Sequence, residues 1–141
     1  MLARLLTPDP VMLKDPVRPN IKPEDRIGEG RDVWFLTDSR DRLSAVLCVA
    51  YKETIPTTEA ELMADLSNPN RDNAILYSIW SNYRGAGSAL LHEYLKMTRV
   101  KGSSIKRIVT MSPKTEMARQ FHLKNGAKLL QTNEETVNYE Y

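Results

Sequence analysis

The sequence predicts an α/β (α+β) fold, a mixed sheet with helices packed on it. Three observations lead to this prediction. Apolar runs of strand length alternate with amphipathic runs of helix length along the chain. Two pairs of strand-like runs, at 33–51 and 127–141, are each joined by a short polar connection. Between these pairs, a strand-like run at 74–81 passes through a glycine-rich turn into an amphipathic run at 89–100.

Composition restricts the classes of protein. With 141 residues and 16.1 kDa, the chain is long enough for one domain with a single core. The net charge of +2 is too small to argue for nucleic-acid binding. No apolar run approaches the ~20 residues that span a bilayer, and no signal-peptide pattern opens the chain. We expect a cytoplasmic protein with no nucleic-acid or membrane partner, in which the single Cys48 is a buried structural thiol.

The first 30 residues differ from the rest of the single domain predicted for residues 1–141. Five of the 8 prolines fall within this stretch, which excludes a long helix and favours an extended, turn-rich path. Only residues 1–6 have the pattern of a short strand or helix. We predict that residues 1–30, called the arm below, pack over the domain.

The remaining elements follow in order. Strands are predicted at 33–37 and 43–51; the second is apolar on both parities, which indicates a central strand covered on both faces. A capping box, Thr58 with Glu61, predicts a helix to about residue 66, followed by a turn at 67–73. After the strand at 74–81 and the helix at 89–100, Gly102 is the expected C-cap. A strand at 105–111, a helix from 112 to about 125, and strands at 127–131 and 136–141 complete the prediction.

The turn at 82–89 has the features of an anion site. Gly85 and Gly87 allow backbone N–H groups to approach an anion, and the N-terminus of the following helix adds partial positive charge. No Asp or Glu lies between Ala74 and Leu91, and Arg84 supplies a cation. Neither a Walker loop nor a dinucleotide fingerprint is present. The turn therefore predicts binding of an anion, most simply a pyrophosphate.

Ser112, His122 and His92 are the other polar residues considered for chemistry. Ser112 fits an ordinary N-cap with proline at the first helical position, although a capping hydroxyl also can face a ligand. His122 lies one turn after Ala118, where a surface or half-buried helix histidine is common. His92 shares a polar face with basic residues and is expected to be exposed to solvent.

The segment Arg84-x-x-Gly87-x-Ala89 resembles the Q/R-x-x-G-x-G/A loop of the GCN5-related acetyltransferase (GNAT) superfamily. Residues 117–127 resemble its A-x-x-F-Y-x-x-x-G-F region, with His122 at the tyrosine position. The resemblance implies a mostly antiparallel twisted sheet flanked by helices, and coenzyme A or acyl-CoA as substrate, with no metal and with a homodimer possible. The residues implied to contact coenzyme A are Ile79, Trp80, Arg84, Gly85, Ala86, Gly87, Ser88, Ala89, Ala118 and Phe121.

Segments 77–79, 109–113, 121–127 and 137–141 resemble more closely the catalytic domain of malonyl-CoA decarboxylase, in a minimal form without that family's helical domain. This resemblance implies that Ser112 and His122 are catalytic. The nine residues between them are expected to be almost all helical, which places the two Cα atoms roughly 15 Å apart.

A histidine pKa near 6.5 would suit protonation of the enolate that decarboxylation leaves. Three activities remain open. A decarboxylase of a malonyl-type thioester is favoured because strand 74–81 lacks an acid to deprotonate an amine. The alternatives are an N-acyltransferase and a catalytically inactive acyl-CoA-binding protein.

Overall fold

A computed structural model describes residues 1–64 and 70–141, and within them eight strands form one sheet with three α-helices. The strands are β1 (Leu2–Arg4), β2 (Arg31–Thr37), β3 (Leu43–Lys52), β4 (Asn73–Ser81), β5 (Arg107–Thr110), β6 (Ser112–Pro113), β7 (Lys128–Thr132) and β8 (Thr136–Glu140). The helices are α1 (Glu59–Met63), α2 (Ala86–Thr98) and α3 (Glu116–Lys124).

The sheet order is β1-β2-β3-β4-β5-β8-β6, with β7 paired to β8. Among the described strands only β4 and β5 pair in parallel, and the other pairs are antiparallel. The predicted mixed and mostly antiparallel sheet with flanking helices is therefore confirmed.

Each face of the sheet has its own core. The arm and α1 cover one face, here called the arm side, where Met12, Ile21 and Leu62 pack against the sheet. Helix α2 covers the other, here called the helix side, through Leu90, Leu91, Tyr94 and Leu95. Strand β3 contributes to both cores, which confirms that it is central. Cys48 lies on the arm side and is buried, as predicted.

A buried ion pair holds the arm together. Arg26 Nη1 donates to Asp15 Oδ2 at 2.6 Å, and both side chains are fully buried. Arg26 also donates to the carbonyl oxygens of Ile21 and Arg18. Strand β1 pairs with β2, and two 3₁₀ turns, Pro10–Lys14 and Pro23–Asp25, account for the rest of the arm's regular structure. These contacts support our proposal that residues 1–30 form an arm on one domain.

Several predicted boundaries are wrong. Helix α2 begins at Ala86 instead of residue 89, and it ends at Thr98, so Gly102 is not its C-cap. The Thr58 cap is confirmed, since its side chain accepts from the Glu61 N–H. The predicted helix end at residue 66 and the start of the turn at 67 lie outside the described residues.

The largest correction concerns residues 112–115. Helix α3 begins at Glu116, and its N-cap is Thr115, whose hydroxyl accepts from the Ala118 N–H at 3.2 Å. Ser112 is instead part of β6 and pairs with Val137 of β8. It is therefore not a helix cap, and the expectation that the residues between Ser112 and His122 are almost all helical is wrong.

The sheet opens between β4 and β5. Their paired residues end at Leu76 and Thr110, and Tyr77 is an extra, bulged residue of β4 opposite the Cys48–Val49 step of β3. Bulges of this kind bend a strand and are common beside active sites. Beyond the last pair, the Arg18 guanidinium lies between the strands and donates to the carbonyl oxygens of Tyr77 and of Met111, the latter at 2.8 Å. Arg18 of the arm thus bridges the two strands where the opening begins.

Candidate active site

The loop that precedes α2 has the geometry of an anion site. Gly85 adopts a left-handed conformation with φ of 84°, which favours glycine, and it is the N-cap of α2. The loop is anchored by Asn82, whose side-chain amide donates to the Leu43 carbonyl at 3.0 Å. Arg84 is exposed and makes no hydrogen bond or ion pair within the described residues. A free cation and a helix N-terminus therefore face the same solvent-accessible region.

A cavity of about 620 Å³ lies next to this loop, at the opening between β4 and β5. It brings together seven of the predicted site residues: Ile79, Trp80, Gly87, Ser112, Ala118, Phe121 and His122. The other five, Arg84, Gly85, Ala86, Ser88 and Ala89, do not line it and belong to the adjacent loop and first turn of α2. A Cβ at Gly87 would lie 3.6 Å from the Phe121 ring, so glycine keeps this end of the cavity wide.

His122 is held in the cavity wall by aromatic rings. It is 6% exposed, stacks on Tyr139 with ring centroids 5.4 Å apart, and meets Phe121 and Tyr141 edge-on. Its Nδ1 lies 2.6 Å from the Tyr141 hydroxyl oxygen. These contacts fix the ring, so His122 is neither the surface residue nor the freely rotating side chain that its helix position alone allows.

Burial changes the acid–base chemistry of this histidine. Desolvation lowers the pKa of His122 to about 4, because the charged imidazolium is disfavoured away from water. Our expectation of a pKa near 6.5 is therefore wrong, and the ring is neutral at pH 7. Burial also raises the pKa of Tyr141, which keeps its phenol protonated. When this phenol donates to Nδ1, the proton of the neutral ring is on Nε2.

Ser112 is buried at the same cavity, 3% exposed, and its hydroxyl donates to Thr110 Oγ1 at 2.8 Å. Thr110 Oγ1 also accepts from the Tyr139 N–H at 3.0 Å, which fixes it against β8. A hydroxyl carries one donor and two acceptor sites, so rotation about Cβ–Oγ redirects the Ser112 proton to a ligand while Thr110 donates instead.

Sequence reasoning missed several residues of this site. Tyr139 and Tyr141 follow each other at a spacing of two in a predicted strand, which places both on one face, and that signal was available. Pro16 and Val17 of the arm close the cavity on the arm side. Nothing local in the arm sequence indicates this role, because it depends on where the arm folds.

A second cavity, of about 570 Å³, lies on the arm side and shares Val17 and Pro113 with the first. Three carboxylates, Glu59, Glu134 and Glu135, are among its lining residues. The two cavities are therefore neighbours that share Val17 and Pro113 as lining residues.

Comparisons with known proteins define the class of fold. No protein-family profile and no curated protein sequence matches this chain. Solved structures do match: a putative GNAT-family acetyltransferase from Desulfovibrio desulfuricans has a TM-score of 0.63 at 16% identity, covering 100% of this chain and 98% of that one. The PaiA N-acetyltransferase from Thermoplasma acidophilum, solved in complex with coenzyme A, has a TM-score of 0.53 at 17% identity, covering 77% of this chain and 58% of that one. The fold is therefore GNAT-like.

Within this class, the fold resembles the catalytic part of malonyl-CoA decarboxylase. The enzyme from Agrobacterium vitis superimposes with a TM-score of 0.77 at 17% identity, over 100% of this chain and 60% of that one. The enzyme from Rhodopseudomonas palustris gives 0.73 at 17% identity, over 100% and 59%. This chain thus spans about 60% of the length of the decarboxylases that it matches.

Among the described helices, none is both long enough and apolar enough to cross a bilayer. Cytoplasmic location, a homodimer, and the absence of nucleic-acid and membrane partners remain predictions.

Proposed function

We propose that this protein is an acyl-CoA-binding enzyme that releases CO2 from a malonyl-type thioester. The proposal depends on one observation. Ser112 and His122, which come from different elements, line one cavity next to the loop at residues 82–89, called the Arg84 loop below. The likeness to malonyl-CoA decarboxylases supports the proposal but, at 17% identity, bears on the fold alone.

Coenzyme A would bind with its pyrophosphate on the loop and the first turn of α2. The N–H groups of Ala86 and Ala89 already donate to the carbonyl oxygens of Tyr83 and Gly85. The N–H groups of Gly85, Gly87 and Ser88, together with the Arg84 guanidinium, would hold the phosphates. The pantetheine would then run along the cavity wall formed by Ile79, Trp80 and Phe121. This path brings the thioester to Ser112 and His122.

The reaction breaks the bond between the α-carbon and the carboxylate. The electron pair stays on the α-carbon as a thioester enolate, CO2 departs, and a proton from solvent replaces it on carbon. Negative charge therefore develops on the thioester oxygen, and the site must supply donors there. Neutral His122 donates from Nε2, as a neutral histidine electrophile does, and Ser112 supplies a second donor. When the Tyr141 phenol donates to Nδ1, the histidine has the tautomer that this role requires.

A second candidate is an N-acyltransferase. The neighbouring cavity favours it, because carboxylates of Glu59, Glu134 and Glu135 would attract an ammonium group. The amine would have to reach past Val17 and Pro113 into the first cavity. After a carboxylate takes the ammonium proton, the amine nitrogen would attack the thioester carbonyl carbon, and coenzyme A would leave as the thiolate. An acyl-CoA binder without activity is the third possibility.

The deciding experiment incubates the purified protein with malonyl-CoA and, separately, with acetyl-CoA, each with and without an amine mixture. CO2 and free thiol are measured independently. CO2 without thiol from malonyl-CoA supports the decarboxylase. Thiol that appears only with an amine supports the transferase and overturns the first proposal. Binding of both thioesters without either product supports the inactive binder.

A further inference from the structure

Ser78 stands out among the buried polar side chains that the reaction described above does not use. It is 3% exposed and lines the same cavity as Ser112 and His122. Its hydroxyl has no hydrogen-bond partner among residues 1–64 and 70–141. A buried hydroxyl left without a partner is costly, so such groups in folded proteins call for an explanation.

The side of the sheet on which Ser78 lies is informative. Ser78 pairs directly with Cys48 of β3, and Cys48 belongs to the arm-side core, so Ser78 also faces the arm. Ser112 faces the opposite way, because Val109 and Met111, which alternate with it, point to the arm side. The cavity therefore passes through the opening in the sheet, with Ser112 and Ser78 on its two sides.

The Arg18 guanidinium fixes the two serines relative to each other. It donates to the carbonyl oxygens of Tyr77 and Met111, the residues immediately before Ser78 and Ser112. Arg18 is 7% exposed and lies between the two strands. Because it donates to the Tyr77 carbonyl, its positive charge lies next to the peptide group that joins Tyr77 to Ser78. At the arm-side end of the cavity, the neutral Ser78 hydroxyl thus lies close to a buried cation. Pro16, Val17 and Trp80 line this end.

We propose that Ser78 is the specificity residue for the distal carboxylate of the acyl chain. This inference rests on the proposed function. A thioester that enters from the Arg84 loop meets Ser112 and His122 on the helix side, and the part of the acyl group beyond its carbonyl passes through the sheet to Ser78. The free Ser78 hydroxyl donates to one carboxylate oxygen. The positive charge of Arg18, which lies between the strands, attracts the same carboxylate.

This arrangement suits a carboxylate that must depart as CO2. A direct bidentate contact with arginine would hold the charged carboxylate more strongly than the neutral product and would oppose its loss. A single neutral donor orients the group, and the apolar wall of Pro16 and Val17 accommodates CO2. The site therefore favours 2-carboxyacyl (malonyl-type) thioesters over plain acyl thioesters of the same length.

The test uses three unreactive ligands: S-(2-carboxyethyl)-CoA, which matches the malonyl chain in length, S-propyl-CoA, which lacks the carboxylate, and free CoA. Their dissociation constants are measured by calorimetry for the wild type and for Ser78→Ala. We expect the wild type to prefer the carboxyethyl ligand and Ser78→Ala to lose that preference by about tenfold or more, the effect of a hydrogen bond to a charged group. Affinity for free CoA should not change.

Ser44→Ala is the matched control, since Ser44 is also buried in the sheet but does not line the cavity; it should keep the wild-type preference. The melting temperature of Ser78→Ala should not fall, because no protein hydrogen bond is lost. If Ser78→Ala does not fold, Ser78→Cys keeps the side-chain size with a weaker donor and should lose preference in the same direction.

Two results would overturn the inference: an unchanged preference in the Ser78 variant, or equal weakening of all three ligands, which would place Ser78 on the shared coenzyme moiety. Either result is compatible with CO2 release by the wild type, so the proposed function survives. If the wild type binds none of the three ligands, the proposed function fails and this inference fails with it.

Discussion

The Nδ1 atom of His122 lies 2.6 Å from the hydroxyl oxygen of Tyr141, and the two rings meet at 72°. The two residues come from α3 and from the position that follows β8, so their contact depends on the packing of this helix against the end of the sheet. This hydrogen bond engages Nδ1 and leaves Nε2 as the nitrogen that acts in the proposed mechanism.

Removing the Tyr141 hydroxyl tests that role. We expect Tyr141→Phe to fold and to bind coenzyme A normally, and to lower kcat for malonyl-CoA by about tenfold, because the ring then populates both tautomers.

His122→Asn should lower kcat by roughly 10²–10⁴-fold, the usual contribution of a positioned proton-handling group. Steady-state kinetics checks both. Normal turnover by His122→Asn would contradict the assignment of this histidine.

The pH dependence of stability follows from the buried histidine. In the unfolded chain His122 titrates near 6.5, and in the folded protein its pKa is about 4. Between these values the unfolded state binds more protons, so stability is present above pH 6.5 and is lost as pH falls towards 4. The full loss is about 3 kcal/mol of unfolding free energy.

Urea unfolding at pH 7, 5.5 and 4.5 measures this loss of unfolding free energy. We expect the stability of the wild type to fall over this range by more than that of His122→Gln, whose side chain does not titrate. Parallel curves for the two proteins would show that His122 is not buried as described. Catalysis gives a second check: the acid limb of kcat/KM should lie well below pH 6.5, since the neutral ring is the active form.

Coenzyme A binding is expected to raise the melting temperature, because the ligand binds only the folded state. Gly87→Glu should abolish this shift by placing a side chain and a negative charge between the loop and Phe121. Lys96→Gln is the control, since it changes the net charge by the same amount on an exposed part of α2. A shift that persists in a folded Gly87→Glu variant would remove the pyrophosphate from this loop.

Variants of Ser112 and Thr115 should differ in whether they lower turnover or stability. Ser112→Ala should abolish most turnover and leave the helix intact, because the N-cap of α3 is Thr115. Thr115→Ala should cost about 1 kcal/mol of stability, the usual effect of losing an N-cap. Thr115 also lines the cavity, but its hydroxyl oxygen accepts from the Ala118 N–H, so its effect on kcat should be much smaller than that of Ser112→Ala. A Ser112→Ala variant with full activity and lowered stability would return this serine to a structural role.

Local sequence patterns correctly predicted those elements whose formation depends on residues that are close in the sequence. The central strand β3 is visible because both its parities are apolar, and the α2 loop because glycines interrupt a strand–helix junction. Ser112 was misplaced in a helix because Ser-Pro is a good helix start by itself, whereas its pairing with Val137 is a contact across 25 residues. Likewise the lowered pKa of His122 follows from its burial, which only the folded chain establishes through packing such as that on Tyr139.

The buried pair of Asp15 and Arg26 determines how the arm can move. Removing either partner would leave a charge in the interior at a cost of roughly 3–5 kcal/mol, a large part of the stability of a small domain. Asp15 Oδ1 also accepts from the N–H groups of Val17 and Arg18, at 2.7 and 3.0 Å. Local fraying of the arm would expose all of these groups together. Native-state hydrogen exchange of the Val17 and Arg18 amides should therefore proceed only through global unfolding, at the same free energy as the slowest amides of β3. We consequently expect Pro16 and Val17, on the arm side of the cavity, to form a fixed surface.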